Sequence, residues 1–309
     1  SGRILRLVCL EAGPDGLHLR ALLEAGLPQG FRSEVLRDPN ARNGLVKGIE
    51  ETVSSIDEDL GVVITCLNGG LYHIQKVPLE VASAEDQRDQ IDWEASQALI
   101  SPRVDYIVDF YPTGRVAFWV ALRREVVDLC TDIYASAGIS VSLFQVEPIA
   151  LFYACQMAGV WTGDPRAAIL IGNPWLSFIA AKNTTLTEAE TVSVDCRLPD
   201  EQFEKNGRGP RVLEQQGRFE ITRQWIYGDL SPDLRRPIYD EVFFCGEQEQ
   251  TLPLVKLFEN ETPKMRALNP LSACDVEGLK ASNRQFLRHE SSFSIAAGLA
   301  YRGLERDSS

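Results

Sequence analysis

The feature that most constrains this chain is the alternation of strand-like and helical patterns between Val62 and Ala154. The segment opens with the apolar run Val62 to Leu67, turns at Asn68-Gly69-Gly70 and resumes as Leu71 to Leu79. Asparagine and glycine tolerate positive φ, so the triplet reads as a turn between two strands. Ser83 then stands before Glu85, Asp86 and a helical pattern to Leu99, with Ile91, Ala95, Ala98 and Leu99 at helical spacing. Tyr106 to Tyr111 and Val116 to Ala121 read as two strands joined through Gly114-Arg115. Glu125 to Ala137 reads as a helix closed by Gly138. Ile139 to Val146 is another strand, and Glu147-Pro148 opens a helix to Met157. Taken alone, this order says only α+β.

At 309 residues the chain has room for about two domains and a sizeable core. The net charge of −13 opposes a nucleic-acid role, because phosphate binding needs clustered cations. It equally disfavours docking on anionic lipid. No charged-then-apolar leader opens the sequence, so no signal peptide is expected. The apolar stretch Ala167 to Ala181 is too short to span a bilayer and contains Asn173-Pro174, so no membrane insertion is expected. Seven cysteines without C-x-x-C spacing read as free thiols of a reducing cytoplasm. Only His18, His73 and His289 supply imidazole, and they are scattered, so no metal site is expected.

Elsewhere, Arg3 to Leu10 and Leu17 to Leu23 read as strands around Gly13-Pro14-Asp15-Gly16, and Ala41 to Ser55 as a helix. Asp59-Leu60-Gly61 reads as a plain turn. Thr162-Gly163-Asp164-Pro165 is a break between two halves. Ala167 to Ile171 is a strand, with further strands to Val194, and Pro199 to Pro210 is a polar loop. Arg211 to Ile226 reads as a helix, Asp229 to Pro237 as a loop, Glu241 to Gly246 as a strand and Glu247 to Glu259 as a helix. A closing helix runs from Ser292 to Leu304, with Ala296, Ala297 and Gly298 permitting close packing. There is no Gly-x-Ser-x-Gly elbow, Walker A loop or His-Glu-x-x-His, and no catalytic residue is singled out.

Several segments resemble the type IV pilus assembly proteins called PilM: Ile91-Asp92-Trp93-Glu94-Ala95, Ala121 to Val127, Ala137-Gly138-Ile139, Val146-Glu147-Pro148-Ile149-Ala150-Leu151, and Ala267-Leu268-Asn269-Pro270-Leu271. The match is dense from Val62 to Ala154. It implies an α/β, actin-like (ribonuclease H-like) two-lobed fold, related to that of FtsA, with an inserted small α+β lobe. On that reading residues 1–61 begin the first lobe and 62–146 are the insertion. Residues 147–164 are a connecting helix, 165–290 the second lobe, and 291–309 the closing helix and tail.

The resemblance also implies a nucleotide site. Actin-like ATPases hold phosphate and magnesium with Asp-x-Gly loops followed by small and hydroxyl residues. Here Leu170 stands in the aspartate's place, Pro174 lacks an N–H and Trp175 is bulky. Gly172, Asn173 and Ser177 survive as remnants, and Gly246 and Glu247 occupy the adenosine-side loop. ATP and magnesium are therefore expected only if a further phosphate loop precedes Ser1. Either a first strand is missing before Ser1, or Ser1-Gly2 is a cloning remnant on a degenerate protein.

The implied function is a cytoplasmic scaffold of a type IV pilus or type II secretion-like inner-membrane assembly. Its partner would be the cytoplasmic tail of a PilN-like membrane protein, lying as an extended peptide beside the inserted lobe. The alternatives are a nucleotide-binding ATPase or switch of the same machinery and, last, a cell-division filament protein like FtsA. Trp93 and Glu94 are helix neighbours that cannot face the same way. Trp93 is expected to pack onto the small lobe's sheet, with Glu94 nearer solvent or a partner.

Overall fold

The computed structural model describes residues 3–56, 60–80, 83–172, 174–194, 210–228, 238–258 and 263–307. Strands β1 (Ile4–Gly13) and β2 (Gly16–Gly26) form an antiparallel hairpin closed by Gly13 opposite Gly16. Gly16, at φ 128°, occupies backbone space that disfavours a side chain. A two-residue strand, Cys274–Asp275, joins β2 in parallel. After α1 (Ser33–Arg37), Asp38 caps α2 (Pro39–Val53): its carboxylate accepts the Asn40 N–H, and Pro39 sits at the start where no donor is needed. Ala41, Leu45 and Ile49 form the buried stripe of α2.

Strand β3 (Val63–Leu67) leads through the Asn68–Gly70 turn into β4 (Tyr72–Pro78), yet the two do not pair. β3 pairs in parallel with β7 (Val141–Val146), whereas β4 pairs antiparallel with β6 (Val116–Arg123). The turn therefore changes sheets. Between β4 and β6 come α3 (Ala84–Ala98), a short 3-10 turn (Arg103–Asp105) and β5 (Tyr106–Thr113), the other neighbour of β6. Ser83 caps α3 by accepting the Asp86 N–H. Helix α4 (Arg124–Ser136) ends at Gly138, whose φ of 76° lets Ile139 N–H return to the Tyr134 carbonyl.

Strand β6 is buried on both faces. Ala117, Trp119 and Ala121 meet Ile91 and Ala95 of α3, while Phe118 and Leu122 join the main core. This corrects the expectation for Trp93, which is 61% exposed. Ile91 and Ala95, one turn apart, set the inward face of α3. Trp93 lies two residues from each, about 200° round the helix.

Helix α5 (Glu147–Met157) follows β7 directly and is buried almost throughout, as expected of a helix apolar on every side. It packs against the later strands Trp175–Lys182 and Thr185–Ser193 and against the closing helix Ser294–Asp307. The second half contains β8 (Arg166–Ile171), β9 (Trp175–Lys182), β10 (Thr185–Ser193), α6 (Pro210–Tyr227), β11 (Glu241–Gly246), α7 (Gln248–Leu257) and β12 (Lys264–Ala267). Its sheet has the order β10-β9-β8-β11-β12, antiparallel through β8 and parallel beyond it. The closing helix α8 (Ser294–Asp307) returns across α5, β1 and β3. None of the six described cysteines forms a disulfide, and Cys196 lies outside the described residues. So do the expected loops at Pro199 to Gly209 and Asp229 to Pro237. Among the described residues, no helix is long and apolar enough to cross a membrane.

Candidate functional site

A concentration of half-buried polar groups, with Ser177 fully buried among them, lies at the start of α5. Glu147 is the only charged residue between Val141 and Met157, and α5 carries it into the interior between the halves of the molecule. Gly69 N–H donates to its carboxylate at 3.0 Å, and the Ser177 hydroxyl does so at 3.4 Å. The Tyr72 hydroxyl lies 2.8 Å from Thr191 Oγ1, which in turn lies 3.0 Å from Ser177 Oγ. The network ties the β3–β4 turn to α5, β9 and β10. Burial pushes the Glu147 carboxyl up to about 7, opposed by hydrogen bonds from Gly69, Ser177 and Tyr72. Burial, reinforced by Glu147, also pushes the Tyr72 phenol well above its ordinary range.

The indole of Trp175 covers Gly69 and Gly70. A side chain at Gly69 would come within 2.6 Å of the Thr191 methyl and 2.9 Å of the indole. Glycine is therefore required here by close approach, not by backbone conformation, since Gly69 does not adopt a positive φ. Above this floor opens a cleft of about 340 Å³, lined by Phe31, Arg32, Glu34, Asn68, Pro174 and Trp175 among others. Asn68 fixes the turn by donating to the Phe31 carbonyl and accepting from Gly70 N–H.

Of the residues expected from sequence, Gly172 lines this cleft, and Ser177, 1% exposed, lies behind Glu147 rather than in the lining. A side chain at Gly172 would stand 2.5 Å from the Trp175 carbonyl, so the loop doubles back tightly. Asn173 lies outside the described residues. Gly246, at φ 121°, passes so near β8 that a Cβ would meet the Ile171 carbonyl at 2.4 Å. Glu247 pairs with Arg6 at 2.5 Å, and Arg6 also holds Glu24 at 2.8 Å. Leu170 packs against the main core. Sequence reasoning missed Glu147, Tyr72 and Thr191. The available signal was the lone carboxylate opening an otherwise apolar helix.

The carboxyl's elevated pKa has a testable consequence. A proton bound more tightly in the folded state stabilises it fully below the ordinary value of 4.5, and that stability is lost as pH rises through about 7. Glu147→Gln keeps an acceptor for Gly69 and does not ionise. Against it, the wild type is expected to lose about 2 kcal/mol between pH 5 and pH 8. Parallel stability profiles for the two proteins, from urea titrations across that range, would refute the assignment.

A second groove, of about 220 Å³, lies on the other side of Ser33, Gly70 and Leu71, which line both depressions. Its other walls include Tyr72, His73, Leu99, Ile100, Tyr106 and Arg123. The Arg123 guanidinium lies over the Tyr106 ring, 5.8 Å from its centre.

No protein-family model matches the chain, and no curated protein matches it by sequence. Among solved structures, it superposes on a chain of a PilM-PilN type IV pilus biogenesis complex with a TM-score of 0.74. The identity is 16%, over 98% of this chain and 96% of the other. A Bacteroides thetaiotaomicron protein described as having an actin-like ATPase fold and unknown function matches at 11% identity and TM-score 0.47, covering 93% and 96% of the two chains. The cytoplasmic domain of EpsL, an inner-membrane component of the Vibrio cholerae type II secretion system, matches at 12% and 0.41, covering 93% and 94%. The last two likenesses are too loose to carry weight. The chain has a PilM-like, actin-like α/β fold.

Proposed function

We propose that this protein is a cytoplasmic scaffold of a type IV pilus or type II secretion-like inner-membrane assembly. Its partner is the cytoplasmic tail of a PilN-like membrane protein. The observation that carries this reading is the likeness, over nearly the whole of both chains, to a chain of the PilM-PilN complex. In this reading residues 62–146 are the inserted lobe, and the tail occupies the groove between that lobe and the first. Apolar Leu71 and Leu99 with aromatic Tyr72 and Tyr106 offer side-chain pockets there, and Arg123 offers a donor. The protein meets the membrane through that partner.

The cleft beside Glu147 fits Mg-ATP poorly. Leu170 provides no magnesium-side carboxylate and is packed in the core. Pro174 has no N–H for phosphate. Trp175 rests on the glycine turn, and Glu247 is engaged by Arg6. We therefore read the nucleotide site as degenerate.

The test is fluorescence polarisation with a labelled peptide spanning the tail of the PilN-like protein from the same genome, alongside calorimetry with Mg-ATP. The expected result is tail binding in the micromolar range, weakened about tenfold or more by Ile100→Glu, with no Mg-ATP heat. Ile100 is almost fully exposed, so this change spares the fold. Absence of tail binding would overturn the scaffold reading, and tight Mg-ATP binding would overturn the degenerate site.

A further inference from the structure

Seven large hydrophobic side chains are exposed among the described residues, and three of them fall within one short stretch: Trp93 at 61%, Ile100 at 98% and Val104 at 73%. Trp93 projects from α3, Ile100 follows the helix end, and Val104 sits in the 3-10 turn. Arg103 folds that turn back against α3, its guanidinium 2.6 Å from the Asp92 carboxylate. The same stretch carries Glu85, Asp86, Asp89, Asp92, Glu94 and Asp105 against Arg88 and Arg103. Both arginines are already engaged, Arg88 with Asp109 at 3.4 Å and Arg103 with Asp92. The result is three exposed apolar side chains, one of them a tryptophan, on a stretch with more carboxylates than cations, with the exposed Arg123 near its Ile100 end.

We propose that this face of the small lobe is a docking surface, distinct from the tail groove, for a basic amphipathic helix of a partner protein. Exposed apolar anchors of this size gain by desolvation, and tryptophan is enriched among residues that dominate binding energy. The excess of carboxylates selects the partner's charge: a cationic helix complements it, whereas a second copy of this chain would set like charges face to face. Anionic lipid is repelled for the same reason. Trp93 and Val104 do not line the groove, and only Ile100 borders both regions. The proposal therefore stands or falls apart from the tail reading.

The test titrates the intact chain with a labelled Leu/Lys amphipathic helix and with a Leu/Glu helix of equal hydrophobicity. The Lys helix is expected to bind, more weakly as salt rises, and the Glu helix not to bind. Trp93→Ala with Val104→Ala should weaken the Lys helix about tenfold or more while leaving tail binding and the melting temperature unchanged. Asp89→Lys with Glu94→Lys should weaken it similarly while keeping the apolar anchors. Failure of the Lys helix to bind, equal binding by both variants and wild type, or equal binding of the Glu helix would overturn the proposal. So would sedimentation showing a wild-type dimer dissolved by Trp93→Ala, which would assign the face to a second copy.

Discussion

Trp119→Ala is expected to destabilise the protein by about 3–5 kcal/mol, the range for truncating a buried large aromatic. The ring is fully buried at the centre of β6, against Ile91 and Ala95 of α3 and Ala117 and Ala121 of its own strand. His73 covers it with ring centres 4.9 Å apart. Across the sheet it faces Gln75 and Phe110, held in their own strands, so the void closes only in part. The indole N–H has no hydrogen-bond partner among the described residues. Trp119→Phe removes that buried donor, which recovers about 1–3 kcal/mol against the lost volume. The phenylalanine variant is therefore expected to lie within about 2 kcal/mol of wild type. Trp93→Ala, on the same lobe but exposed, should shift stability by no more than about 0.5 kcal/mol. Urea denaturation followed by circular dichroism separates the three. Equal costs for Trp93→Ala and Trp119→Ala would refute the assigned faces of α3 and β6.

Gly298→Ala is expected to cost more than about 3 kcal/mol and to abolish folding in a marginally stable background. A Cβ there would lie 1.9 Å from the Ala150 carbonyl oxygen and 2.8 Å from the Ala154 nitrogen. Both are backbone atoms of α5, so no side chain can swing aside and the two helices must separate. The gain of about 1 kcal/mol in helix propensity is too small to offset this. Gly303 in the same helix is the control. Its Cβ would meet only Ile64 and Val62, at 3.8 Å or more. Gly303→Ala is therefore expected to be neutral or stabilising by up to about 1 kcal/mol. Thermal melts of the two variants decide the matter. Similar melting temperatures would show that α5 and α8 do not make this backbone contact.

The small-residue run Ala296-Ala297-Gly298 was legible as a close-packing signal, and tertiary structure supplied the partner, α5. Helix caps were legible for the same local reason. Ser83 and Gly138 act within one turn of chain, so their chemistry is written next to its effect. The Asn68-Gly69-Gly70 turn was legible as a turn, but not as a change of sheets, because the partner of β3 lies nearly eighty positions away. Trp93 was misread for a related reason. A tryptophan on an amphipathic helix suggests an inward face, but Ile91 and Ala95 are the side chains that fit against β6.

The candidate site shows the same division. Gly172, Ser177 and Gly246 were named through the family resemblance, and the structure sets Gly172 in the lining of the cleft. Glu147 could not. Its sequence surroundings call for nothing more than an acidic residue in the first turn of a helix, where the N–H groups favour negative charge. Burial and an elevated pKa arise only when Gly69, Tyr72, Ser177 and Thr191, from three other segments, close around it. The sequence by itself determined the order of elements and their caps, because these depend on near neighbours and hydrophobic period. Tertiary structure alone decided which face of α3 went inward, which strands paired and which carboxylate lost its water. Desolvation and packing belong to groups brought together from distant parts of the chain, and no local pattern encodes them.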